Sequence, residues 1–256
     1  RLVVAVQAGS GREHGPGIRI PLTQAADIRP VGLLLAGGRG RRFDASGQQD
    51  KLLQALAGES AAKRGMTAAS ESVPQKDEAA QAWKPVAARA CAALGAGTQA
   101  VLAVIRPDAP EALRKALHDA GAMVTVCPDA DEGMGHSLAH AMREARVRWP
   151  HLQAVLVMPA DMPWVRDESV RAIARAVEEQ AVQRDDSHPG IVIALTPLGE
   201  RGHPVGFDAR HFHALQSLRG DAGARSLLAR LDPIRIFLDD PGIVRDVDTP
   251  EDLETP

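Results

Sequence analysis

An apolar run from Val31 to Leu35 leads directly into Ala36-Gly37-Gly38-Arg39-Gly40-Arg41-Arg42-Phe43, and Asp50-Lys51-Leu52-Leu53 follows soon after. Glycines in such a turn let backbone N–H groups come close to phosphate oxygens or to a base. Arg42 and Lys51 add fixed positive charge suited to a triphosphate. A glycine-rich basic turn can also be an ordinary solvated loop, so its meaning depends on its surroundings. It is not a P-loop, which ends in Gly-Lys-Ser/Thr. Nor is it the dinucleotide fingerprint, because Phe43 stands where the third glycine belongs.

Further segments carry polar groups at the ends of apolar runs. Ala160-Asp161-Met162-Pro163 follows the run Ala154 to Met158, and a carboxylate there can hold Mg²⁺ against phosphate oxygens, or simply cap a turn. Asp246 and Asp248 alternate along a predicted strand, Ile243 to Val247, so both would point the same way and suit a hard cation. Asp248 or Thr249 could equally cap the helix that Pro250 begins. Gly133-Met134-Gly135-His136-Ser137 opens a helix, a natural contact for an anion or a base.

The same stretch, read as Gly135-His136-Ser137-Leu138-Ala139, is a degraded nucleophile elbow. Asp161 and His203 follow it in the chain order of a serine hydrolase. Against that reading, Pro128 to Gly135 separate Ser137 from its strand, and Ala139 replaces the last glycine. Arg201-Gly202-His203-Pro204-Val205 and Gly220-Asp221-Ala222-Gly223-Ala224-Arg225 are dense in polar groups. As plain turns they would use Asp221 as an N-cap and leave Arg225 solvated. His136 and His140 are spaced i, i+4 but lack the adjacent acid of a zinc helix.

The elements that must position these groups alternate. After a predicted helix from Pro85 to Leu94 come strand Ala100 to Ile105, helix Pro110 to Ala120, strand Met123 to Cys127 and helix Ser137 to Arg148. Strand Ala154 to Met158, helix Glu168 to Gln183 and strand Ile191 to Leu195 follow. Then come helices Ala209 to Leu218 and Ala222 to Leu231, and strands Ile234 to Leu238 and Ile243 to Val247. This order predicts an α/β fold with a mostly parallel open sheet flanked by helices and ligands at the strands' carboxyl ends. Residues 1–30 read as a flexible N-terminal extension before a domain spanning 31–256. Residues 57–82, rich in Ala, Ser, Glu, Lys and Gln, read as an inserted mobile loop.

Composition narrows the partners. The 256 residues are 45% hydrophobic with no Tyr and four Phe, so the core must be aliphatic. A net charge of -3 argues against a general grip on nucleic acid. No apolar run is long enough to span a membrane, and the two cysteines fit neither a zinc spacing nor a disulfide framework. A cytoplasmic setting is expected.

Taken together and in order, the segments resemble the MobA-like nucleotidyltransferase family, most of all its molybdenum cofactor cytidylyltransferase branch. They are Leu35-Ala36-Gly37-Gly38-x-Gly40-x-Arg42-Phe43, Lys51-Leu52-Leu53, Gly133-Met134-x-x-Ser137-Leu138 and Ala160-Asp161-Met162-Pro163. Gly202-His203-Pro204-Val205, Gly220-Asp221-x-Gly223-Ala224-Arg225 and Asp246-Val247-Asp248-Thr249-Pro250 complete the set. The resemblance covers roughly residues 31 to 253 and implies a Rossmann-like nucleotidyltransferase fold. It also implies Mg²⁺-dependent transfer of CMP from CTP to molybdenum-bearing molybdopterin, with loss of pyrophosphate. Arg42, Lys51 and Asp161 would be catalytic. Leu35, Ala36, Gly37, Gly38, Gly40, Gly133, Met134 and Ser137 would bind nucleotide, and Asp161 with Asp246 or Asp248 would hold the metal. Gly202, His203, Pro204, Asp221 and Arg225 would face the acceptor, and a molybdoenzyme or its chaperone would receive the product.

The sequence departs from that branch twice. Gly37 gives the Ala-Gly-Gly form typical of guanylyl relatives, which keeps GTP or another phosphorylated acceptor as an alternative. The loop after Phe43 also lacks the usual glycine. A silent cofactor chaperone, binding without turnover, is a third class.

Overall fold

The computed structural model describes residues 6–7, 28–56, 84–183, 189–221, 223–229 and 231–254. The expected insertion at 57–82 and most of the 1–30 extension lie outside the described residues. Within that extension, Val6–Gln7 forms a short strand, β1. The elements that follow are β2 (Val31–Ala36), α1 (Val86–Gly95), β3 (Ala100–Ile105), α2 (Glu111–Asp119) and β4 (Ala122–Val126). Next come α3 (Met134–Arg148), β5 (Ala154–Pro159), α4 (Asp167–Gln183), β6 (Ile191–Leu195) and β7 (Arg201–Asp208). Two short helices, α5 (Phe212–Gln216) and α6 (Arg225–Leu228), precede β8 (Ile234–Phe237).

All eight strands join one sheet in the order β1-β8-β6-β7-β5-β2-β3-β4. Strands β2 to β5 run parallel, as do β6 and β8. Strand β7 runs antiparallel to both its neighbours, and β1 is antiparallel to β8. Strands β2, β3, β5 and β6 carry no polar side chain because both faces are covered. On β2, Leu34 and Ala36 pack into one core with α1, α2 and α4, while Val31 and Leu33 pack into the other with α3 and α5. The same alternation splits Val101, Ala103 and Ile105 from Leu102 and Val104 on β3. Two aliphatic cores thus sandwich a mostly parallel sheet, as the alternating elements predict.

Three expectations fail locally. Arg201 to Phe207, read as a loop, is strand β7. It carries an irregularity, since Ile193 faces Val205 while the next residue, Ala194, faces Gly202. Ile243 to Val247 is not a strand: Pro241–Val244 forms a 3-10 turn and residues 245–248 run without regular structure. Asp240 caps that turn through the Gly242 N–H at 2.9 Å. The helix expected from Ala222 to Leu231 shrinks to α6, with Ala224 rather than Asp221 at its N-cap.

Candidate functional site

A cleft of about 630 Å³ opens where β2 and β5 end and β7 begins. Its floor is the glycine loop. Gly40 adopts φ +60°, which a side chain would strain, and its carbonyl accepts from the N–H groups of Phe43 and Asp44. The departure after Phe43 is absorbed by Asp44. Its Oδ1 accepts from the Ser46 N–H at 2.8 Å and the Ser46 hydroxyl at 2.6 Å, and its Oδ2 from the Gln49 N–H at 2.7 Å. These bonds, that of the Ser46 hydroxyl first, hold the Asp44 carboxyl down at about 2.

Charge on this wall is met by carboxylates of the same chain. Asp50 Oδ1 caps the turn Lys51–Leu53 through the Leu52 N–H at 3.0 Å, which fixes where Lys51 starts. Asp50 Oδ2 takes Arg106 Nη2 at 3.1 Å, and Arg106 Nη1 donates to the Gly38 carbonyl at 3.1 Å. Arg39 bridges Asp108 at 3.0 Å and Asp131 at 2.5 Å. Lys51 Nζ contacts Asp161 Oδ2 at 2.6 Å and the Val247 carbonyl at 2.7 Å, with Asp248 Oδ1 at 3.6 Å. Arg42 Nη1 lies 2.5 Å from Asp248 Oδ2.

The carboxylates are brought together differently from the expected strand. The Val247 N–H donates to the Asp161 carbonyl at 2.9 Å, and the Arg245 guanidinium stacks 3.7 Å above the Trp164 ring. Asp252 Oδ2 accepts from the Asp248 and Thr249 N–H groups at 2.9 and 2.7 Å. Capping therefore falls to Thr249 and Asp252, and the Asp248 side chain is left to the cleft. Asp161 Oδ1 is buried and has no hydrogen-bond partner among the described residues. The Asp246 carboxyl is raised above its ordinary range, first by burial and then by the charges of Asp248 and Asp161. A divalent cation would relieve both conditions. No group of three or more His, Cys, Asp and Glu residues suited to a metal occurs among the described residues. A few protein oxygens completed by phosphates and water match the habits of Mg²⁺.

The facing wall is built by β7 and residues 219–225. Gly135 donates its N–H to the Gly220 carbonyl at 2.7 Å, and a Cβ on Gly133 would fall 2.4 Å from Asp221 Oδ1. Those two glycines thus admit the 219–221 segment, a use the sequence did not announce. His136 Nδ1 accepts from the Gly220 N–H at 3.2 Å, and its Nε2 lies 3.1 Å from Glu132. His203 precedes a cis bond to Pro204 and places Nδ1 3.4 Å from the Val157 carbonyl. Burial, with a smaller contribution from the Arg225 charge, lowers its proton affinity.

Of the expected nucleotide residues, Leu35, Ala36, Gly37, Gly38, Gly40, Arg42, Lys51, Gly133, Met134 and Ser137 all line this cleft, as do Asp161, Asp246 and Asp248. His203, Asp221 and Arg225 line it too, but Gly202 and Pro204 do not. A Cβ on Gly202 would sit 2.4 Å from the Ile243 carbonyl, so this glycine seats the Pro241–Val244 turn against β7. Sequence reasoning missed Arg39, Arg106, Asp131 and Arg201. Arg106 was traceable, since it directly follows a buried strand at its carboxyl end. The hydrolase triad does not form. Ser137 lies inside α3 beside the Cys127 thiol, Asp161 is engaged by Lys51, and His203 faces Val157.

A mostly parallel sheet with one reversed strand, a glycine loop after its central β2 and acidic residues beyond β5 define a Rossmann-like nucleotidyltransferase. The chain belongs to the MobA-like NTP transferase family, whose domain matches residues 32–234. It is 28% identical over 235 residues to the purine catabolism protein PucB of Bacillus subtilis (strain 168), covering 88% of this chain and 94% of PucB. Rv0371c of Mycobacterium tuberculosis H37Rv shares the fold at TM-score 0.61 and 22% identity, over 89% of this chain and 96% of that one. It has also been solved as a manganese complex. A nucleotidyl transferase of Methanothermobacter thermautotroptrophicus, Mth528, superposes at TM-score 0.58 with 19% identity, over 88% and 94% of the two chains. No helix among the described residues is long and apolar enough to cross a membrane.

Proposed function

We propose that this chain transfers CMP from CTP to the terminal phosphate of molybdenum-bearing molybdopterin in the cytoplasm. The observation that carries this reading is the Lys51–Asp161 contact at 2.6 Å beside the glycine loop, with Asp161 Oδ1 buried and unpartnered. In this reaction an acceptor phosphate oxygen forms a bond to the α-phosphorus. The bond from that phosphorus to the bridging oxygen breaks, and its electron pair leaves with pyrophosphate. The attacking phosphate is already anionic, so no general base is needed and catalysis is positioning plus charge neutralisation.

In this scheme Leu35, Ala36, Gly37, Gly38 and Gly40 cradle the nucleotide, and Gly133, Met134 and Ser137 bound the base. Lys51 and Arg42 neutralise the α-phosphate and the departing pyrophosphate. Asp161 with Asp246 or Asp248 would hold Mg²⁺, which when bound offsets the negative charge of the phosphates. The manganese complex of Rv0371c supports a divalent ion in this fold. His203, Asp221 and Arg225 face the acceptor, while Gly202 and Pro204 shape the wall behind it. A molybdoenzyme or its chaperone would take the product.

One observation favours GTP instead. A Cβ at position 37 would stand 3.1 Å from Ser137 Oγ and 3.4 Å from Ala130 Cβ, so glycine leaves room on the base side that alanine would fill. Incubation with each NTP, Mg²⁺ and molybdopterin, read as pyrophosphate release, separates the readings. CTP should be the preferred donor. Activity with GTP alone would reject it, and binding of the cofactor without turnover would identify a chaperone.

A further inference from the structure

Of the lysines and arginines lining the cleft, Arg39, Arg42 and Lys51 rest on carboxylates of the chain, but three arginines do not. Arg41, Arg201 and Arg225 line the cleft, are exposed, and their side chains form no hydrogen bond or salt bridge with the described residues. Arg41 lies on the glycine loop. Arg201 and Arg225 lie on the facing wall: Arg201 two residues before His203 on β7, and Arg225 close enough for its charge to act on the His203 ring. A solitary exposed arginine is ordinarily just solvated. Two of them lining one concavity, neither side chain engaged by a carboxylate among the described residues, suit a compact dianion.

We propose that Arg201, acting with Arg225, grips the terminal phosphate of the acceptor, so that the acceptor class is a phosphomonoester delivered from the β7 side. This rests on the transferase reading above and assigns a role to Arg201, the missing cation of the acceptor wall. Two features favour it. The irregularity between Ile193 and Ala194 leaves β7 locally out of step, and bulges near sites commonly re-aim side chains. The wall is also held independently of Arg201, through Gly202 on Ile243 and through the Gly135–Gly220 hydrogen bond. The guanidinium is therefore free to serve a ligand. Bidentate Arg–phosphate contact fixes the attacking oxygen in orientation as well as in charge.

The test uses the full chain as wild type, Arg201→Ala, Arg201→Lys and Arg225→Ala, with thermal melting to check that each is folded. Steady-state kinetics with CTP and molybdenum-bearing molybdopterin should show the acceptor KM rising about 10- to 100-fold in Arg201→Ala, with the CTP KM unchanged. Arg201→Lys should recover part of the loss. In parallel, phenyl phosphate is titrated as a plain phosphomonoester probe, and its binding should weaken in Arg201→Ala and Arg225→Ala. If molybdopterin is not turned over but phenyl phosphate binding still depends on Arg201, the acceptor identity is wrong and the phosphate grip stands. Unchanged acceptor KM and unchanged phenyl phosphate binding in Arg201→Ala would overturn the inference, as would a rise confined to the CTP KM.

Discussion

On the glycine-loop wall, Arg39, Arg42, Lys51 and Arg106 each rest on a carboxylate of the same chain, whereas Arg201 and Arg225 on the facing wall rest on none among the described residues. The paired cations of the first wall keep their positions without a ligand, so little rearrangement of them is needed as phosphate charge develops, while Arg41 on the same loop has no side-chain partner among the described residues. The second is held by backbone contacts, Gly135 N–H on the Gly220 carbonyl and Gly202 against Ile243, and under the proposal above its charges would meet the acceptor phosphate. The difference suits a transferase whose donor must be fixed in line before a variable acceptor arrives.

The largest effects should come from the pair joining the donor wall to the carboxylates. Asp161→Ala should abolish metal-dependent turnover, and Lys51→Ala should lower kcat about 10²- to 10³-fold. Near-normal rates in either would detach that wall from the chemistry. A smaller effect should follow from loosening the loop's support. Asp50 and Arg106 are only 10% and 11% exposed, so Arg106→Ala strands a nearly buried carboxylate. It should cost about 2 kcal/mol and lower Tm by roughly 4–8 °C. A double-mutant cycle with Asp50→Ala should show coupling, and strict additivity would say the contact is idle.

The smallest effect concerns Asp44. Its folded pKa, about 2, lies below its ordinary value of 3.8, so its support of the loop is complete above about pH 4 and is lost as pH falls through about 2. NMR titration of the Asp44 carboxyl carbon should give a midpoint near 2. A midpoint near 3.8 would mean the Ser46 and Gln49 bonds do not form.

The donor wall was easier to read than the acceptor wall for physical reasons. Strands β2 and β5 are unbroken apolar runs, and the glycines and Asp161 sit immediately past their ends. Strand β7 hides behind Arg201, Gly202, His203 and Pro204, since a proline argues against a central strand unless the ladder is irregular, as here. Asp246 and Asp248 reach the cleft by a route other than the expected strand: Pro241 and the Asp240 cap replace it with a turn. Tertiary contacts through Val247 and Trp164, invisible in sequence, place that segment beside Asp161. Gly133 lines the cleft, as its motif predicts, but the close approach of Gly220 to Gly133 and Gly135 is a long-range fact no local pattern encodes.

The proposed transfer of CMP is tested most directly by following the α-phosphate of labelled CTP in the presence of Mg²⁺ and molybdenum-bearing molybdopterin. The label should appear in the acceptor in equal amount to the pyrophosphate released. Release of inorganic phosphate, or of free CMP with no label in the acceptor, would contradict it.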